Sequence, residues 1–217
     1  MSTKLTVILS SFLILSMLLA GVVLLNQMPA QMASHWNAQD QVDGYMSRFW
    51  GLFMVPLMSL GLTLIFLAIP SIDPLKKNIS QFRGYFNAFV VLFLVFMAYV
   101  HGLTLWWNLG HTNFKFSGAL LPAMGLLFIF VGIMIRNAKR NYFIGIRTPW
   151  TLSSDTVWER THRLGSTLFI AAGVITLLCA FVPGQAFVVM MTSILAAALI
   201  PIIYSYLLWR QEENGNQ

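Results

Sequence analysis

Six long apolar runs dominate this sequence, and none of them contains Asp, Glu, Lys or Arg. A helix needs about 20 apolar residues to cross a bilayer core of about 30 Å. The runs that meet this length occupy residues 5–25, 49–69, 85–107, 117–135, 164–182 and 186–209. We therefore predict an all-α fold, an integral membrane bundle of six transmembrane helices.

The charge content supports the same conclusion. Only 9% of the residues are charged and the mean hydropathy is +0.73, whereas a soluble domain carries about 25% charged residues. The net charge of +6 comes from basic residues in the short connections between apolar runs, where they act as topology signals. We predict a multi-pass protein of the cell membrane whose partner is the lipid bilayer, without direct nucleic-acid binding.

The distribution of basic residues predicts the orientation. With the N-terminus in the cytoplasm, eleven of the thirteen Lys and Arg residues lie inside, and only Arg48 and Lys115 lie outside. Positive residues accumulate on the cytoplasmic side, so both termini are predicted to be cytoplasmic. The first run exceeds the 7–15 residues of a signal-peptide core and is predicted to be a retained span. The polar tail 211–217 is predicted to be disordered.

The external connection between the first two spans has unusual composition. Its candidate residues are His35, Trp36, Asn37, Asp43, Gly44 and Tyr45. Asp43-Gly44 predicts a turn, and the amphipathic rings of Trp36 and Tyr45 suit a membrane interface, so the loop is predicted to fold back on the membrane. His35 is compatible with a metal ligand, a pH-sensitive contact or a plain interfacial side chain.

The cytoplasmic connection before the fifth span is the densest part of the sequence. Its candidate residues are Asn141, Gly145, Arg147, Thr148, Pro149, Trp150, Thr151, Trp158, Thr161 and His162. Pro149 favours an extended Thr148, and Ser154 is a natural N-cap for a helix that continues into the fifth span.

Helical spacing then assigns faces to this fifth helix. Trp158, Thr161 and His162 share one face, and Glu159 is spaced to pair with Arg163 on another. Two interpretations stay open for this segment: it docks the loop onto the bundle, or it forms a surface that binds a partner.

Several kinds of chemistry find no support in the sequence. No H-E-x-x-H, G-x-S-x-G or Walker A pattern occurs, and the spans hold no carboxylate for proteolysis or ion coupling. The lone Cys179 cannot form an internal disulfide. We therefore predict no enzyme, no catalytic or metal site and no cofactor. Asn87 and His101 are predicted to make interhelical hydrogen bonds.

Two alternative functions are also compatible with the sequence. A small transporter or exporter would use helices broken at Pro56, Pro122 and Pro201 to create a site at the midplane. A membrane enzyme would use Arg147 and His162 to hold a lipid headgroup phosphate, although no nucleophile is paired with a base.

The octapeptide Gly145-Ile-Arg-Thr-Pro-Trp-Thr-Leu152, preceded by Asn141 and followed by Trp158 and His162, resembles the signature of the SdpI family. The external His-Trp-Asn and Asp-Gly-Tyr segments are similar to an N-terminal domain of unknown function often fused to that family. Asp40 stands between them where the family pattern leads us to expect glycine.

This resemblance implies a membrane immunity protein without an enzymatic site, protecting the cell from a sporulation-delaying type of peptide toxin. In the best-known member of the family, the toxin-engaged protein also recruits a soluble transcriptional repressor to the membrane, a property that the motifs of this chain do not specify. We predict three modules within one structural unit: residues 1–70 with the external loop, residues 71–116 with the third helix, and residues 117–217 as the SdpI-like part.

Overall fold

The computed structural model describes residues 1–181 and 185–215, and it is 76% helical. Its helices are α1 (Thr3–Leu24), α2 (Arg48–Ile72), α3 (Lys76–Asn108), α4 (Phe116–Asn137), the short α5 (Pro149–Ser153), α6 (Asp155–Cys179) and α7 (Ala186–Gly215). The six long helices are apolar enough to cross a membrane. The predicted six-helix membrane bundle is confirmed.

A short antiparallel hairpin accompanies the helices, in the connection between α1 and α2. Its strands are β1 (Gln31–Trp36) and β2 (Val42–Ser47), with an irregular register around His35. The sequence interpretation placed a turn here but no strands. This hairpin and the α3–α4 connection lie at one end of the bundle. The other end holds the 138–154 connection, because Asn78 of α3 donates to the Arg140 carbonyl there.

Helices α2, α4 and α7 run unbroken through their internal prolines. Pro56, Pro122 and Pro201 all lie inside continuous helix, so the discontinuous helices required by the transporter alternative do not form. The distorted position is instead Phe82 of α3, with φ −119° and ψ 16°. The third helix therefore begins nine residues before its predicted span, with a kink near its N-terminal end.

Helices α4 and α6 make the closest helix contact, through glycine. A Cβ atom built on Gly125 would lie 2.8 Å from the carbonyl oxygen of Gly173, and one on Gly132 would lie 2.8 Å from that of Ser166. Small residues allow such close approach of backbones in membranes, where packing rather than the hydrophobic effect drives helix association. These glycines let α6 pack closely against α4, and this packing positions the loop that precedes α6.

Asn87 and His101, the two polar residues of α3 predicted to bond other helices, make different contacts with α1. The Asn87 Nδ2 atom donates to the Met1 carbonyl at 3.1 Å and to Thr3 Oγ1 at 3.2 Å, so its predicted interhelical bonding is confirmed. His101 is 2% exposed and faces the backbone of Met17 on α1. Within the described residues, neither ring nitrogen of His101 makes a hydrogen bond of good geometry.

The C-terminal tail differs from its prediction. Helix α7 continues to Gly215, and Ser154 Oγ donates a hydrogen bond of 2.8 Å to Glu212 Oε2. This contact ties the tail to the start of α6, so the expected disorder from residue 211 onward was wrong for 211–215. The turn expected at 183–184 lies outside the described residues.

Candidate functional sites on the two faces

Asn108, the last residue of α3, holds the hairpin against the bundle. Its side-chain Oδ1 accepts from the Ala33 N–H at 2.7 Å, and its Nδ2 donates to the Ala33 carbonyl at 3.0 Å. Next to this clamp, Met32 is fully buried, and a Cβ atom on Gly51 of α2 would lie 2.6 Å from its sulfur. Strand β1 therefore lies tightly on the ends of α2 and α3.

The tip of the hairpin is tied to α4 by Asp40. Its carboxylate accepts from the Ser117 N–H at 2.8 Å and from Ser117 Oγ at 2.6 Å. Asp40 also has φ +60°, a left-handed conformation that glycine adopts freely and aspartate tolerates. The departure from the family's expected glycine therefore keeps the turn and adds a tether to α4.

Two residues of the predicted external motif, Trp36 and Asn37, stabilise the hairpin. Trp36 stacks on Phe116 with ring centroids 3.8 Å apart and meets Trp107 edge-on at 5.5 Å. Asn37 Oδ1 accepts from the N–H groups of Gln39 and Gln41, both at 3.0 Å. Trp36 thus fixes the hairpin laterally, while Asn37 closes its turn.

The other members of that motif form the outward face of the hairpin. His35 Nδ1 lies 2.5 Å from Asp43 Oδ1, and their side chains are 70% and 46% exposed. Tyr45 is 63% exposed, and a Cβ atom on Gly44 would lie 2.8 Å from that of His35, so glycine keeps the strands close there. His35, Asp43 and Tyr45 are thus all exposed to solvent on the hairpin. No group of three metal-ligating side chains occurs among the described residues.

The 138–154 connection, which was predicted to be cytoplasmic, is organised around the buried amide of Asn141. Its Oδ1 accepts from the N–H groups of Phe143 (2.9 Å) and Ile144 (2.6 Å), while its Nδ2 donates to the carbonyls of Lys139 and Ile144. This one fully buried side chain therefore provides hydrogen-bond partners for several backbone groups of the loop, which lie outside any helix or strand.

His162 joins this loop to α6 through hydrogen bonds of both ring nitrogens. Its Nδ1 donates to the Trp158 carbonyl at 2.8 Å, and its Nε2 accepts from the Ile146 N–H at 3.0 Å. These partners require a neutral imidazole with its proton on Nδ1. Trp158 stacks on the ring at 4.0 Å and donates through Nε1 to the Ala138 carbonyl at 2.8 Å. Trp158, Thr161 and His162, which were predicted to share one face of this helix, are all buried.

The Thr-Pro segment caps the short helix α5. Thr148 is extended, with φ −112° and ψ 162°, and it exchanges side-chain and backbone hydrogen bonds with Thr151 in a capping box. Thr148 Oγ1 also lies 3.0 Å from Ser205 Oγ of α7. Both threonines are buried, so they attach the loop to the last helix. The predicted N-cap at Ser154 is confirmed by its bond to Val157 N–H.

A residue outside the predicted motif completes the docking. Asp73, 2% exposed at the end of α2, accepts from the Tyr142 N–H at 2.9 Å and from the Leu75 N–H at 2.6 Å. Asn108 on the outer face was missed in the same way. The available signal for each was a polar residue at the very end of a span, which sequence reasoning treats as solvent-exposed.

Three residues of the cytoplasmic motif remain accessible. Arg147 and Pro149 are exposed, and Trp150 is half-buried against Tyr206 at 5.1 Å. Arg147 Nη1 donates to the Tyr142 carbonyl at 2.9 Å. These side chains form an exposed corner, which we call the Arg147–Trp150 corner.

A shallow cavity of about 240 Å³ opens elsewhere on the same face. Its lining residues are Asn78, Gln81, Lys139, Arg140, Asp155, Trp158 and Glu159. Glu159 pairs there with Lys139 Nζ at 3.3 Å. The predicted Glu159–Arg163 pair was therefore wrong, because the loop brings a lysine within reach.

The headgroup-enzyme alternative required Arg147 and His162 to hold a phosphate together. Both ring nitrogens of His162 are engaged inside the protein, and the Arg147 guanidinium is turned to a backbone carbonyl. This arrangement offers no phosphate clamp between the two side chains.

Six apolar helices with a hairpin on one face and a docked loop on the other define a multi-pass protein of the cell membrane. Residues 137–205 match the SdpI/YfhL protein family, and residues 12–60 match a domain of unknown function, DUF1648. The chain is 25% identical over 201 residues to the Immunity protein SdpI of Bacillus subtilis (strain 168), covering 92% of this chain and 93% of that relative. Through these matches the chain is similar to the SdpI family of membrane proteins. No solved structure matches it.

Proposed function

We propose that this protein is a membrane immunity protein that protects its cell from a secreted, membrane-active peptide of the sporulation-delaying type. The observation that carries the proposal is its similarity to an immunity protein along almost the whole chain, including both structured connections. The proposal includes no catalytic step, since the motif residues serve hydrogen bonding and packing.

The outward face of the hairpin is the proposed contact for the peptide. His35, Asp43 and Tyr45 are exposed together, whereas Trp36 and Asn37 hold the strands in place. A rigid platform with a few accessible aromatic and charged groups favours binding, because little side-chain order is lost on contact. The excess of basic residues at the opposite end of the bundle supports placing the hairpin outside and both termini in the cytoplasm.

Expression of this chain in a sensitive strain that lacks its own immunity gene tests the proposal. Cells are challenged with purified sporulation-delaying peptide, and we expect the inhibitory concentration to rise severalfold above that of the empty vector. A matched control is nisin, a membrane-active peptide of a different type, whose inhibitory concentration should stay the same. Unchanged sensitivity to the sporulation-delaying peptide at verified membrane expression contradicts the proposal.

A second, signalling function is proposed for the cytoplasmic face. The Arg147–Trp150 corner stays accessible while its neighbours Thr148 and Thr151 are buried, so it is the part of the motif able to meet a soluble repressor. The test is the membrane-bound fraction of the tagged autorepressor of the SdpI system, measured with and without peptide. We expect Trp150→Ala to abolish peptide-dependent recruitment while protection remains; equal recruitment by wild type and variant contradicts this role.

A further inference from the structure

The two edges of the external hairpin are unequal. The outer edge of β1 is closed, because the N–H and C=O groups of Ala33 both bond the Asn108 amide. No strand can add there without displacing that side chain. Among the described residues, no side chain covers the outer edge of β2 in the same way.

Antiparallel alternation shows what the β2 edge offers. Ala33 lies opposite Tyr45 in the hairpin. The N–H and C=O groups of Ala33 point away from β2, towards Asn108. Ala33 and Tyr45 therefore form a pair that shares no backbone hydrogen bonds. The bond from the Arg48 N–H to the Ala30 carbonyl, three positions further along, fits the same alternation. The N–H and C=O of Tyr45 must therefore point away from β1. Among the described residues, no side chain is seen to bond them.

This edge also lacks several of the usual protections against strand addition. Residues Val42–Ser47 contain no proline and no lysine, and the irregularity of the hairpin involves His35 on β1. Natural edge strands are commonly blunted by such residues or by bulges. A two-stranded sheet is also an incomplete one, which gains hydrogen bonds from a third strand.

We propose that β2 accepts an extended segment of the extracellular peptide as a third strand, with Tyr45 at the centre of the new pairing. The inference rests on the proposed immunity function and names its mode of recognition. Backbone groups of an extended peptide are the chemical complement of this edge, and exposed Asp43 and Tyr45 flank the new strand. Since β2 carries one carboxylate and no basic side chain, the geometry favours a neutral or cationic segment. Main-chain hydrogen bonds then provide affinity, and alternate side chains provide selectivity.

The first test removes the central donor of the edge. Full-length protein in lipid nanodiscs is titrated with fluorescently labelled sporulation-delaying peptide. Tyr45→Val keeps the N–H and is the matched control for loss of the ring, whereas Tyr45→Pro removes the N–H at a position that β1 does not use. We expect Tyr45→Pro to bind at least about tenfold more weakly than Tyr45→Val, the change that a loss of about 1.4 kcal/mol produces. Equal affinity of these two variants overturns the inference.

The second test leaves the protein unchanged, so it is independent of any folding defect in Tyr45→Pro. The peptide is synthesised with single N-methyl groups at successive backbone positions. Strand addition predicts that affinity falls at every second position over a stretch of about five residues. A helical peptide lying on the surface gives no such two-residue pattern, and that result overturns the inference. A complex of two copies that forms with Tyr45→Val but not with Tyr45→Pro also overturns it, because the edge would then pair with itself.

Failure of the inference and failure of the immunity function are distinguishable. If wild-type protein binds the peptide and protects cells, but the variants and the methylated peptides show no edge pattern, only the mode of recognition is wrong. If wild-type protein neither binds nor protects, the proposed function itself is wrong.

Discussion

Gly145 faces the Nε2 atom of His162 so closely that any side chain at position 145 would overlap the imidazole ring. The glycine also has φ +108°, a conformation that other residues rarely adopt. Together they bring the Ile146 N–H to Nε2. The most specific stretch of the sequence thus begins at the point where the cytoplasmic loop meets α6.

Replacing that glycine should loosen the loop. We expect Gly145→Ala to destabilise the protein by about 2 kcal/mol, since strain at a positive φ costs about 1–3 kcal/mol. The measurement is thermal unfolding in detergent, with Gly61→Ala as the control, because a Cβ atom there meets nothing within 4 Å. Equal melting temperatures for the two variants would contradict the lock between Gly145 and His162.

The contact between His35 and Asp43 on the hairpin should matter for peptide binding and not for the stability of the fold. Exposed pairs contribute at most about 1 kcal/mol, so Asp43→Asn should leave the melting temperature nearly unchanged. Protection from the sporulation-delaying peptide should fall severalfold in the same variant. Gln39→Ala, an exposed change at the tip, is the matched control and should protect as well as wild type. Full protection by Asp43→Asn would remove this pair from the proposed contact.

Asp40 combines a conformational and a tethering role, and three substitutions separate them. Asp40→Gly keeps the left-handed turn but loses the bonds to Ser117, whereas Asp40→Ala loses both. We expect hydrogen exchange of residues 31–47 to rise in the order wild type, Asp40→Asn, Asp40→Gly, Asp40→Ala, because asparagine tolerates positive φ and keeps one acceptor. Equal exchange in the glycine and alanine variants would show that the turn conformation contributes nothing.

The glycine contact between α4 and α6 should not accept a methyl group. Gly132→Ala places its Cβ 2.7 Å from Ile170 Cγ1 and 2.8 Å from the Ser166 carbonyl. Overpacking of this kind typically costs about 1–3 kcal/mol, and the backbone oxygen cannot move aside. Thermal unfolding measures the loss, and Gly102→Ala on α3, with open space around it, serves as the control. A Gly132→Ala protein as stable as wild type would mean that the helices separate easily here.

The two family matches, residues 12–60 and 137–205, fall inside the first and third predicted modules. Between them, α3 donates Asn108 to the hairpin and Asn78 to the cytoplasmic loop. The third helix therefore contacts both structured connections at once. The three-module division stays a prediction, while these bonds show how one helix joins the two faces.

The sequence alone determined the membrane helices and much of the cytoplasmic motif. Apolar length specifies a spanning helix locally, as in residues 5–25 and 117–135, because lipid demands that each segment satisfy its own backbone. Local rules also sufficed for extended Thr148 before Pro149 and for the cap at Ser154. These features depend on neighbours in the chain, and such neighbours are visible in the sequence.

Only the tertiary structure decided which motif residues are accessible and what holds them. The hydrogen bonds between Asn108 and Ala33 join residues 75 positions apart, and the bond between Asp73 and Tyr142 joins residues 69 positions apart. No local sequence pattern predicts such contacts. The hairpin was missed because its strands are short and irregular and are stabilised by α3 and α4 rather than by their own pairing. Burial likewise divided the cytoplasmic motif into a docked part and an exposed corner, since the packing of helices distant in sequence determines which side chains reach solvent.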